Sequence, residues 1–109
     1  MSTTFTHSNA ALVAGTSRTL LYGPVTSGAT AIVFAGLFSN IDNTNMVTHT
    51  ITLETYNGTS YTNKLNQVPI PFGSASMCPK IVLLAGESLY VTAEATSSVA
   101  CSVEVVTLT

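Results

Sequence analysis

From residue 47 to residue 56 the side chains alternate without a break. Val47, His49, Ile51 and Leu53 take one side, and Thr48, Thr50, Thr52 and Glu54 take the other. A strand turns successive side chains to opposite faces, so this run buries one face and wets the other; on a helix the same residues would mix both kinds all round. The pattern recurs in residues 88–95, where Leu89, Val91, Ala93 and Ala95 face in while Tyr90, Thr92 and Glu94 face out, and in residues 99–108, where Val99, Cys101, Val103 and Val105 share a face. Residues 18–22, 61–68 and 80–84 add shorter β-like runs. Residues 29–40 are apolar on both sides, with Val33 and Leu37 on one and Ile32, Phe34 and Phe38 on the other, as in a strand covered on both faces.

Turn signals separate these runs. Gly23-Pro24, Ser27-Gly28, the Asn- and Asp-rich residues 40–45, and Thr96-Ser97-Ser98 each break a strand. Asn57-Gly58 is the strongest hairpin signal. Pro69 and Pro71 are expected to stop the strand before them, because proline gives no N–H to a ladder. Ala85-Gly86-Glu87 is expected to pair the strands on either side of it. The result is seven or eight strands, no helix and no linker: an all-β, antiparallel β-sandwich, jelly-roll-like in its packing.

The chain has 109 residues, enough for one domain. Residues 1–10 are polar apart from Phe5, and residues 1–17 read as an N-terminal arm, ordered only if a neighbour or a sheet edge receives it. Residues 18–109 form the sandwich. Charged residues make up 7% of the chain and hydrophobic ones 46%, where soluble domains carry about 25% charge. Ser, Thr and Asn stand in for the missing charge. A free monomer keeps its neighbours away by surface charge. A surface of hydroxyls, amides and apolar area suits packing against partners, where buried charge would be costly.

The same numbers exclude several functions. With Arg18, Lys64 and Lys80 standing alone and a net charge of −2, nothing provides the clustered cations that nucleic acid or an anionic membrane requires. The start has neither a basic n-region nor an apolar run, so no export signal is expected. The apolar part of residues 19–41 is broken by glycine and proline and is too short for a membrane span. Cys78 and Cys101 are too few for a disulfide framework and match no zinc spacing; whether they bond to each other is open. No phosphate loop, G-x-S-x-G elbow or H-E-x-x-H motif occurs. His49 lies on an apolar strand face and reads as a satisfied core histidine. Asp42 and Glu87 sit in turns, and Glu54, Glu94 and Glu104 on outward strand faces. No enzyme, no cofactor and no metal are expected. Tyr56 and Tyr61 flank the hairpin turn, either as a stabilising cross-strand pair or as an exposed platform for a sugar or protein.

Three segments carry a likeness beyond composition. Asn40-Ile41-Asp42 with the strand at 47–53, then Val68-Pro69-Ile70-Pro71-Phe72-Gly73-Ser74, and then residues 80–93 (KIVLLAGESLYVTA) resemble small all-β virion structural proteins of tailed bacteriophages. The likeness covers roughly residues 18–108 and departs at Cys78-Pro79. It implies a virion component assembled in the host cytoplasm: a capsid decoration (cement) protein, or alternatively a neck or tail component or a receptor-binding module. The implied partners are other copies of the chain, with a trimer favoured, and virion proteins such as the major capsid or tail proteins. Phe5, His7, Phe34, Phe38, Tyr56 and Tyr61 are the candidate interface residues. No catalytic residue comes with the resemblance.

Overall fold

The structure, a computed structural model, describes residues 5–109 and contains nine strands: β1 (Phe5–Val13), β2 (Thr19–Tyr22), β3 (Thr30–Asn40), β4 (His49–Tyr56), β5 (Tyr61–Ile70), β6 (Ala75–Met77), β7 (Ile81–Leu83), β8 (Ser88–Ala93) and β9 (Val99–Leu108). No helix occurs among the described residues, so none is long and apolar enough to cross a membrane.

The strands form two antiparallel sheets. One runs β1-β9-β3 and then β6 and β7, which pair with opposite ends of β3; the other runs β2-β8-β4-β5. Counting β6 and β7 as one interrupted strand gives two four-strand sheets in which first and last strands are neighbours. This is the jelly-roll arrangement of two nested Greek keys. The core lies between the sheets and is built from the inward residues of the alternating runs: Ile51 and Leu53 from β4, Leu89 and Val91 from β8, and Val99, Val103 and Val105 from β9.

Three expectations need correcting. Residues 80–84 and 88–95 do not pair around Ala85-Gly86-Glu87. β7 joins β3 in one sheet and β8 joins β2 and β4 in the other, so the turn crosses the sandwich. It is held against the segment after β2, with Gly86 N–H donating to Val25 O (2.8 Å) and Val25 N–H donating to Glu87 O (3.0 Å). Pro69 does not end β5: it sits within the strand opposite Thr50, and the strand stops at Ile70, directly before Pro71. β5 is the outermost strand of its sheet, so the absent N–H points to no partner strand. Finally, β3 does not keep one parity. Val33 pairs with Val105 but Ala35 pairs with Glu104, leaving Phe34 as the extra residue of a β-bulge. Before the bulge the odd residues Ala31 and Val33 face the core, and after it the even residue Phe38 does.

Of the expected arm, residues 5–13 are β1, received by β9 of the same chain in unbroken register from Phe5↔Leu108 to Val13↔Ala100. Residues 1–4 lie outside the described residues. Gly36 is required where β3 passes β9, since a Cβ there would stand 2.7 Å from Ser102 O and 2.8 Å from Val103 Cγ1.

Candidate functional site

The two outer faces of the sandwich differ in chemistry. On the β2-β8-β4-β5 sheet, Thr50, Thr52 and Thr92 with Gln67 and Glu94 line a hydroxyl-rich depression of about 250 Å³. On the β1-β9-β3 sheet, the strands carry no ionisable side chain except His7, Glu104 and the buried thiol of Cys101. One row across this face reads His7, Val106, Ile32 and Val82; another reads Ala11, Ser102, Leu37 and Met77. Met77 is 78% exposed, and Phe5, Val13, Phe34, Leu37 and Val82 are exposed too. A groove of about 470 Å³ runs between Ala11, Val13, Leu37, Ala100 and Ser102. Exposed apolar surface of this kind is suited to contact, and with Glu104 as the one carboxylate on these strands there is little charge to desolvate.

The candidate interface residues divide among three places. Phe5, His7 and Phe34 come together on this apolar face. His7 and Phe34 meet with ring centroids 5.8 Å apart, and His7 Nε2 lies 3.7 Å from Glu104 Oε1. Phe34 faces outward by plain alternation after the inward-facing Val33, which puts it on the side of His7. Phe38 is not at the surface: at 0% exposure it is among the largest side chains of the core, because the bulge reverses the parity that had placed it beside Phe34. Tyr56 and Tyr61 lie on the opposite, Thr-rich side of the molecule.

There the two tyrosines pair across the hairpin and stack, with centroids 4.4 Å apart, and Tyr90 meets both edge-on. The Arg18 guanidinium lies 3.6 Å over the Tyr61 ring and makes a two-pronged contact with Glu54, at 3.0 and 3.1 Å. The hydrogen bond to Glu54 raises the Arg18 pKa further. Arg18 and Tyr56 are both too close to Tyr61 to share one side of its ring, so both ring faces are occupied. A sugar would have to displace one of them. The arrangement is that of a stabilising cross-strand cluster. Tyr61→Ala is expected to lower unfolding stability by about 1 kcal/mol in chemical denaturation; an unchanged midpoint would show that the cluster does not brace the hairpin.

His49 is buried (4% exposed) and both its ring nitrogens face carboxylates: Nδ1 contacts Glu94, and Nε2 donates to Asp42 Oδ2 at 2.7 Å. Two acceptors need two N–H donors, so this is the site of an imidazolium. Asp42, then Glu94, raise its pKa. Asp42 also accepts the backbone N–H groups of Thr44 and Asn45, and these bonds with that of His49 hold its carboxyl well below the usual range. Asn40 completes the lock on this loop, its Nδ2 donating to Val47 O and Ile70 O (2.8 and 2.9 Å). With both nitrogens engaged, His49 has no lone pair to offer as a base. The histidine's burial was legible in its strand; its partners, 7 and 45 residues away, were not.

Cys78 and Cys101 are both free and buried, and burial pushes their thiols up to about 11 and about 12. At neutral pH both are protonated and unreactive.

Comparison with protein-family models, with curated proteins and with solved structures finds no match.

Proposed function

We propose that this chain is a structural protein of a bacteriophage virion, most simply a capsid decoration protein that stabilises the head through contacts with other copies of itself and with the capsid. The observation that carries the reading is the outer face of the β1-β9-β3 sheet, an exposed apolar surface whose strands present only His7 and Glu104 as ionisable groups. Such a face is suited to lie against protein. Jelly-roll sandwiches recur in viral capsid and lectin domains, though a fold by itself names no function. The choice of a phage particle rests on the sequence resemblance at residues 40–42, 47–53, 68–74 and 80–93. Among the ionisable groups, His49, Asp42 and Glu94 are engaged with one another, and Glu54 with Arg18.

The test has two parts. Light scattering at several concentrations is expected to show self-association, and co-sedimentation with phage heads prepared without the protein is expected to show binding. A chain that stayed monomeric and never bound heads would defeat the reading. Receptor recognition through the tyrosine pair receives no support from the geometry, because the Tyr61 ring faces are already covered.

A further inference from the structure

We infer that β1 is a pairing edge, and that two copies of the chain join β1 to β1 about a two-fold axis near Asn9, making one continuous sheet across the dimer. The inference rests on the self-association proposed above and names the surface for it.

Among the described residues the sandwich has four lateral edges, and three are blunted. β2 has four residues and a register shift between Leu20 and Tyr22. β5 carries Lys64, Pro69 and two register shifts, with Gln67 at a positive φ of 48°. The edge beyond β3 is divided between β6 and β7, each three residues long. Short strands, bulges, lysine and proline are the features by which sheets avoid pairing edge to edge. β1 has none of them. It runs nine residues without a proline, a charged Lys, Arg, Asp or Glu, or a register shift.

Its open hydrogen-bonding groups are identifiable. Ala14 N–H donates to Val99 O at 2.9 Å. In the antiparallel alternation the even residues 6–12 therefore exchange their bonds with β9, and Phe5, His7, Asn9, Ala11 and Val13 point N–H and C=O to the open edge. A second β1 running antiparallel, with Asn9 opposite Asn9, matches these groups one for one.

The side chains favour the same register. The two large apolar residues of β1, Phe5 and Val13, stand at its opposite ends and are 69% and 49% exposed. Antiparallel self-pairing brings each against the other's counterpart, sets His7 beside Ala11, and puts two amides at the axis. A parallel copy would leave Phe5 against Phe5 and Val13 against Val13 with slanted, weaker bonds. In this register the groove by Ala11 and Val13 opens toward His7 and Phe5 of the other copy. A two-fold contact makes a dimer, whereas the sequence resemblance favours a trimer.

Residue-resolved amide exchange across a concentration series tests this on the full chain, alongside light scattering. The apparent mass is expected to double with concentration, and the amides of His7, Asn9, Ala11 and Val13 to become protected in step, while those of Ser8, Ala10 and Leu12 are protected throughout. Asn9→Pro removes an edge donor without touching a bond to β9. Phe5→Glu places a charge where Val13 of the other copy would sit. Both variants are expected to remain monomeric with the parent's circular dichroism. Association with the odd-numbered amides still open, or association retained in Phe5→Glu, would overturn the inference while leaving the assembly reading in place. A monomer at every concentration that still binds heads would do the same. Failure of both association and head binding would remove the two together.

Discussion

Replacing Phe38 by alanine is expected to lower unfolding stability by about 3–5 kcal/mol, with a fall in melting temperature of roughly 15–30 °C. Phe38 is wholly buried between the sheets, so the substitution removes its transfer free energy and leaves a cavity that the surrounding strands can only partly close. In a domain of this size the whole stability is about 5–15 kcal/mol, so the variant should be marginal. Phe34, four residues back and on the outer face, supplies the contrast: Phe34→Ala is expected to cost less than about 1 kcal/mol and to weaken association instead. Thermal melts at low concentration and light scattering at high concentration separate the two. If Phe38→Ala left the melt unchanged and abolished association, the parity reversal at the bulge would be wrong.

Stability is also expected to pass through a plateau in mildly acidic solution and to decline on either side as His49 and Asp42 titrate. The folded pKa of His49 lies above its ordinary 6.5, so its contribution is complete below 6.5 and is lost as pH rises through the raised value. The folded pKa of Asp42 lies below its ordinary 3.8, so its contribution is complete above 3.8 and is lost as pH falls through the depressed value. Between these ordinary values both are present in full. Melting temperature against pH should show this, and His49→Gln should remove the alkaline decline and leave a smaller acid one, sustained by the Asn45 and Thr44 bonds to Asp42. Nitrogen chemical shifts provide the second reading. An imidazole carrying a single proton at pH 6 would contradict the double-donor geometry.

Some of this architecture could be read from residues alone. β4 and β9 alternate, as β8 does beyond Ser88, and their residues expected to face inward do so, whereas Val47, just before β4, is exposed. The Asn57-Gly58 turn was equally plain. β3 was not, because it is apolar on both sides and offers no polar residue to reveal where the bulge changes its parity; Phe38 and Leu37 were exchanged between faces as a result. Ala85-Gly86-Glu87 announces a turn, yet nothing local distinguishes a hairpin from a passage between sheets. β6 is three residues long and too short to show a period. At the candidate site, Phe5, His7 and Phe34 were singled out, but their meeting on one face depends on β1 pairing with β9, a contact nearly the length of the chain apart.

That pairing governs how the protein comes into being. β9 lies between β1 and β3, yet it follows every other strand in the chain. During synthesis, β1 and β3 emerge early and have no neighbour to separate them until the final strand leaves the ribosome. The first sheet therefore closes only after translation of the domain is complete, and folding waits on contacts of the longest sequence separation, which are slow to form. Until then a nascent chain with few charges exposes several strands of high β-propensity, a condition that favours aggregation. Expression yield should accordingly depend on temperature and on chaperone supply more steeply than the stability of the finished fold would suggest.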